Sequence, residues 1–182
     1  MTRRITLSQG KVALVDDADF LVVNRHKWSA LNTRADRTKK PSFYATCSIS
    51  GRKQYLHRFI MDAQKGQMID HINHDGLDCR RANMRFCTRH QNNQNARPHS
   101  ASRVPYKGIA LRGTRWAARI SSRGRGKCLG TYATPELAAA AYDEASRNLF
   151  GAFAHVNFPN ARTSQERLLA QRAPRGGPMK EG

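Results

Sequence analysis

Residues 69–95 read IDHINHDGLDCRRANMRFCTRHQNNQN. Asp, His and Asn are packed between two apolar-rich segments, and the punctuation inside the stretch is legible. MID ends a short strand. NHDG is a turn tetrapeptide, with Gly76 placed where positive φ is easiest. MRFC is a second short strand. Thr88-Arg89-His90-Gln91 then forms a capping box, so a helix starts there. Strand, loop, strand and helix in that order make a ββα hairpin.

Upstream, residues 5–61 read as short strands. ITL, KVALV and FLVV are β-rich pieces separated by SQG and DDAD. FYATCSIS and RKQYLH alternate in polarity on either side of Gly51, as a hairpin does. NTRADRTKKP is a polar, basic loop. Downstream, ARPHSASRVP is a Pro- and Ser-containing break. YKGIAL, RWAARIS and KCLGTY follow as three strands. Thr134-Pro135-Glu136 supplies an N-cap, a first-turn proline and an acidic residue at the positive end of the helix dipole. The helix ELAAAAYDEASRNLF stops at Gly151. Leu137, Ala141, Tyr142, Ala145 and Leu149 fall on one face, to be buried against the sheet. Beyond Pro159, TSQERLLAQR allows a short helix and APRGGPMKEG reads as disordered. No internal repeat is visible.

The fold class is therefore α+β: a β-rich N-terminal module leading into the ββα motif, then a three-stranded antiparallel sheet on one helix. The expected boundaries are 1–96 for the first domain, with the ββα motif at about 67–96, then a linker at 97–104. A second domain at 105–159 and a basic tail at 160–182 follow.

Charge narrows the partner. Thirty-two Lys and Arg against 13 Asp and Glu give a formal charge of +19, and the pI is near 10.9. Such a chain repels itself when compact, and a polyanion compensates. No segment approaches the roughly 18 consecutive apolar residues of a membrane span, and MTRRITLSQGKVALV has no continuous apolar core of a signal peptide. The expectation is a cytoplasmic protein, of a bacterium or a phage-infected host, that binds nucleic acid and not a membrane. Cys47, Cys79, Cys87 and Cys128 form no C-x-x-C pair, so no zinc is expected.

Hydrolysis of a phosphodiester needs a base to activate water and a divalent cation to neutralise charge on the phosphate and the leaving oxygen. Mg²⁺ takes oxygen ligands, one or two of them from protein. Asp70 and His71 end the first strand and point to opposite faces. Asn83 follows His71 by 12 positions and Asn92 by 21. This spacing resembles the His-Asn-Asn form of the HNH, or ββα-metal, endonuclease motif. The wider run LHRFIM…IDHIN…DGLDCRRANMRFCTRHQNNQN is similar to phage and intron-encoded HNH homing nucleases. The resemblance extends from about Ile5 to Asn95 and is strongest from Leu56 onward.

It implies that His71 is the general base, that Asp70 and Asn92 hold one Mg²⁺ (Mn²⁺ as a substitute), and that Asn83 braces the loop. Asn93 is the alternative helix ligand. His90 lies about 200° around the helix from Asn92 at roughly 100° per residue. His57 reads as a strand-end or core-edge residue, outside the site. The implied products carry 5′-phosphate and 3′-hydroxyl ends.

Residues 106–159 resemble the DNA-binding domain of plant ethylene-response factors (the Apetala class), which also occurs beside HNH nucleases. YKGI, RWAARI, LGTY, T-x-E-x-A-A-x-A-Y-D, FG and NFP carry the likeness. It implies binding of double-stranded DNA through a sheet, with Lys107, Arg112, Arg115, Trp116, Arg119, Arg123, Arg125 and Lys127 as the contacting residues. Trp116 has core packing as an equal alternative. Ala110, Arg119, Ser121 and Cys128 depart from the plant pattern, so the target sequence is not carried over.

The expectation is a two-module DNA endonuclease of homing type, a monomer or weak dimer that nicks one strand. The alternatives are a non-catalytic DNA-binding regulator with a relic HNH part and, from charge alone, an RNA-binding protein.

Overall fold

The computed structural model describes residues 1–33, 42–98 and 104–159. The architecture is α+β, and the chain folds as two compact units, Met1–Asn92 and Asn93–Gly182. The expected linker at 97–104 lies after this division, partly outside the described residues. The TSQERLLAQR helix and the C-terminal tail lie wholly outside them, as does most of the NTRADRTKKP loop.

Unit 1 opens with an antiparallel hairpin, β1 (Thr2–Thr6) and β2 (Val12–Asp16), in which Ile5 faces Ala13. Ile5, Ala13 and Val15 are buried by strand alternation and begin the first core. FLVV, expected as a strand, is instead the end of helix α1 (Asp17–Val23). A four-residue apolar run cannot distinguish the two periods. Asp17 and Asp19 in the first turn favour the helix through its dipole. Val23 is buried and Phe20, one turn earlier, packs against the core, while Leu21 and Val22 are exposed. Trp28 fills the space behind α1 and donates its indole N–H to the Val23 carbonyl at 2.9 Å.

Strands β3 (Ser29–Asn32), β4 (Phe43–Ile49) and β5 (Arg52–Tyr55) form an antiparallel sheet in the order β3-β4-β5. The hairpin about Gly51 is as expected, and β3 was not read from the sequence. RKQYLH stops being a strand at Tyr55, where helix α2 (Leu56–Ile60) begins. Leu56 and Ile60, one turn apart, are the buried pair that makes helix the better solution. Next come β6 (Met68–His71), β7 (Met84–Cys87) and α3 (Arg89–Asn95). This is the ββα hairpin read from the sequence.

Unit 2 contains β8 (Ile109–Arg112), β9 (Arg115–Ser122) and β10 (Arg125–Tyr132) as an antiparallel sheet in the order β10-β9-β8. Helix α4 (Pro135–Phe150) follows, capped by the Thr134 hydroxyl, which accepts from the Leu137 N–H at 3.3 Å. Its buried row is Ala138, Ala139, Tyr142 and Ser146, about one residue on from the expected stripe, and Leu149 is 53% exposed. Alanines at the contact let sheet and helix approach closely. Gly108 shows how closely: a Cβ there would stand 2.2 Å from the Tyr142 ring and 2.7 Å from the Arg119 carbonyl oxygen.

Candidate active site and sheet surface

Strands β6 and β7 pair in the register Met68–Cys87, Ile69–Phe86, Asp70–Arg85 and His71–Met84. Alternation then sends Asp70 and His71 to opposite faces. Thr88 caps α3 in the expected box: its hydroxyl accepts from the Gln91 N–H at 3.2 Å, and its own N–H donates to Gln91 Oε1 at 2.8 Å.

The loop between the strands is held at both ends. Asn83 is buried and uses its whole amide. Its Nδ2 donates to the Asp78 carbonyl at 2.8 Å and to Asn73 Oδ1 at 3.0 Å, and its Oδ1 accepts from the Asn73 N–H at 3.0 Å. The Ile72 N–H donates to the Asn83 carbonyl at 2.9 Å, immediately after His71. Asn83 thus ties the two ends of the loop to each other.

Asp78, buried, accepts from Asn73 and from the Arg80 guanidinium, whose hydrogen bonds hold its carboxyl below the ordinary range. The N-terminal hairpin completes the support. Leu14 donates to the Leu77 carbonyl and accepts from the Cys79 N–H, both at 2.8 Å. The acids of DDAD, read as a break, also serve the loop. Asp16 accepts from the Arg81 N–H at 2.7 Å, and Asp19 takes the Arg81 guanidinium at 2.8 and 2.9 Å.

The positive φ expected at Gly76 belongs to His74, with φ 63°. Gly76 is required for space instead. A Cβ there would lie 2.5 Å from the Phe43 carbonyl oxygen and 2.9 Å from the Tyr44 ring. Cys79 is fully buried, and burial pushes its thiol up to about 12, so it packs as a small apolar group.

His71 is buried against two rings, Tyr44 at 5.7 Å and His57 at 5.2 Å between centroids. Burial lowers its pKa, while Asp70, Asp75 and Asp78 pull the other way. The neutral imidazole, the form that accepts a proton, is favoured. His57, which the sequence places at a strand end or core edge, packs its ring beside that of His71. Burial, then the neighbouring His71 and Arg58, lower its pKa to about 3, and its Nδ1 is buried with no hydrogen-bond partner among the described residues.

Asp70 is buried beside Arg85, which donates to Asp70 Oδ2 from Nε at 2.9 Å and from Nη2 at 2.6 Å. Arg85 was also missed, although once Met68 faces Cys87 the register puts it opposite Asp70. Asn92 stands on α3, half-buried, with its N–H on the Thr88 carbonyl. Asn93 is exposed and His90 half-buried on the same helix. A buried carboxylate and a half-buried amide are oxygen donors of the kind a hard divalent cation takes. A cavity of about 520 Å³ at the open end of the hairpin is lined by Met68, Phe86, Cys87, Arg89 and Gln91 among others, and touches none of Asp70, His71, Asn83 or Asn92.

Residues 54–94 match the HNH endonuclease family model. That segment contains His57, Asp70, His71, Asn83, Arg85 and Asn92. The chain is also similar to proteins of Arabidopsis thaliana. It is 39% identical to dehydration-responsive element-binding protein 2A over 67 residues, which is 35% of this chain and 20% of that protein. It is 39% identical to dehydration-responsive element-binding protein 2D over 79 residues, 42% of this chain and 38% of that one. It is 43% identical to ethylene-responsive transcription factor ERF026 over 58 residues, 31% of this chain and 23% of that one. The chain thus spans well under half the length of these relatives. No solved structure matches it.

In unit 2 the expected contact residues separate by register. Arg112 pairs with Arg115, Ala110 with Ala117, Ala117 with Thr131, and Arg119 with Cys128. These residues therefore share one face. Trp116 is on the other side and packs against the core of Ile109, Ala118, Ile120 and Tyr142. Lys127 pairs with Ile120 and Arg125 with Ser122, both exposed on the edge strand, and Arg123 occupies the β9–β10 turn with φ 50°. The Lys107 ammonium donates to the carbonyls of Gln94 and Ala96 at 2.6 and 2.7 Å, and burial lowers its pKa to about 8.

Proposed function

We propose that this protein is a divalent-metal-dependent DNA endonuclease whose target is selected by the sheet of unit 2. The observation that carries the reading is His71: a buried imidazole, favoured neutral, next in sequence to a buried carboxylate in a segment matching the HNH endonuclease model. His71 takes a proton from water as that water attacks phosphorus. Asn83 holds the loop that begins at Ile72 and so fixes the strand end that carries His71. Asp70 and Asn92 would hold Mg²⁺ or Mn²⁺. When bound, the cation supplies charge neutralisation at the phosphate and at the departing 3′ oxygen. Departure of that oxygen leaves 5′-phosphate and 3′-hydroxyl ends.

Unit 2 presents Arg112, Arg115 and Arg119 on one face of a three-stranded sheet, which suits major-groove entry and arginine contacts to phosphates or guanine. The exposed Arg123, Arg125 and Lys127 add phosphate contacts at the rim, while Trp116 and Lys107 act mainly in packing and capping. Sequence similarity to DNA-binding plant factors, with the YKGI, LGTY and NFP motifs in unit 2, supports this assignment. Two DNA-binding modules on one chain raise the effective concentration of the cutter at its target. One active site per chain implies a nick. Homing of a mobile element is the biological role that the wider resemblance favours.

Supercoiled plasmid incubated with Mg²⁺ or Mn²⁺ tests the reading. Open circles from the wild type, absent with EDTA, are expected. Intact plasmid under every metal, on DNA that the protein demonstrably binds, favours the regulator.

A further inference from the structure

Asp70 and Arg85 face each other across the β6–β7 hairpin, and both are substantially buried, at 6% and 15% side-chain exposure. The guanidinium directs its Nε and Nη2 to one carboxylate oxygen, Oδ2. A buried carboxylate requires a compensating charge, and arginine is the cation that keeps its charge in such a place. Asp70 and Arg85 therefore cancel each other's charge before any metal arrives, and Asn92 adds none. A divalent cation must approach a carboxylate already neutralised, within ångströms of a fixed positive group. Mg²⁺ sites of this sparse kind are completed by substrate phosphate, and here the phosphate is also the missing negative charge.

Resting on the nuclease reading above, we propose that Arg85 is a positioning residue that competes with the divalent cation for Asp70, so that the cation loads effectively only together with the DNA backbone. Cation and DNA then bind with positive coupling, each strengthening the other by the same factor. The free protein stays poorly metallated at cellular concentrations, and the site is charged at the phosphate it is to cut.

Mn²⁺ binding to the full-length protein without DNA, followed by electron paramagnetic resonance of the free ion, tests this apart from activity. Arg85→Gln is expected to bind Mn²⁺ at least tenfold more tightly than wild type. Arg85→Lys, which keeps the charge and loses the two-point fork, stays close to wild type. Because Arg85→Gln strips a buried carboxylate of its partner, thermal melts accompany the titration. Mn²⁺ is expected to raise the melting temperature of Arg85→Gln by more than that of wild type. Equal or weaker Mn²⁺ binding by Arg85→Gln, with no larger thermal shift, overturns the competition. If Asp70→Asn in the Arg85→Gln background leaves Mn²⁺ binding undiminished, Asp70 is not a ligand, and the assignment of the cation site fails instead.

Discussion

The imidazoles of His57 and His71 stand 5.2 Å apart, centroid to centroid, at an interplanar angle of 75°, with the Tyr44 ring against both. One ring comes from the short helix α2 and the other from the end of β6, so the pair packs α2 against the β6–β7 hairpin. His71 is buried and His57 half-buried, and burial favours the neutral form of each, with the charge of His71 further disfavouring that of His57.

A pH dependence of stability follows. The folded pKa of His57, about 3, lies below its unfolded value near 6.5. Between the two, the unfolded chain binds more protons, so stability is fully present above about pH 6.5 and falls as pH drops toward 3. The limiting slope from this one group is about 1.4 kcal/mol per pH unit. Urea melts of unit 1 signals at pH 7, 5.5 and 4.5 should show the loss in wild type and a shallower loss in His57→Phe. Equal slopes in both remove His57 as its source.

Asn83 is placed to be a structural brace. Asn83→Ala strands the Asp78 carbonyl and the Asn73 N–H within the loop, at an expected cost of about 1–3 kcal/mol. Hydrogen exchange at Asn73 should quicken, and strand-cutting activity should fall together with loop protection. Activity lost with protection unchanged points to direct contact with DNA.

In unit 2 the buried Asp143 accepts from the Asn157 N–H at 2.7 Å, Asn157 Nδ2 at 3.0 Å and the Phe158 N–H at 2.8 Å. Asn157 in turn accepts from the Lys107 N–H at 2.6 Å. The YKGI, YD and NFP motifs therefore meet at one buried carboxylate. Asp143→Ala should destabilise unit 2 by on the order of 3 kcal/mol, with exchange at Asn157 and Phe158 rising to match.

Salt dependence of DNA binding separates the unit 2 cations. For each of Arg112, Arg115 and Arg119 that neutralises a phosphate, substitution by Ala should reduce the slope of log K against log salt by about 0.9. One that reads a base instead relaxes sequence preference. Lys107→Met should lower the melting temperature and leave the slope unchanged, because its ammonium is engaged with carbonyls. A slope change for Lys107→Met alone reverses this assignment.

The sequence was most legible where local chemistry is strong. The capping box at Thr88, the Thr134-Pro135-Glu136 helix start and the hairpin about Gly51 needed no tertiary information. FLVV failed because Asp17 and Asp19 act on a helix dipole that an apolar count does not see. YLH failed because Leu56 and Ile60 reward one turn of helix only once a core exists. In the candidate site, Asp70, His71, Asn83 and Asn92 are ordered along one segment, and their spacing is what singles them out in the sequence. His57 and Arg85 are not singled out in this way: one arrives from a separate helix and the other acts through cross-strand register.

The central claim is that His71 takes the proton from the attacking water. Its most direct test is single-turnover cleavage of a duplex carrying a site selected by the protein, with Mg²⁺, comparing wild type and His71→Ala at equal occupancy. Cleavage by wild type, with the rate of His71→Ala reduced about 10²–10⁴-fold and its DNA affinity unchanged, is the predicted result. Cleavage by His71→Ala at the wild-type rate, or binding by both with no cleavage by either, contradicts it.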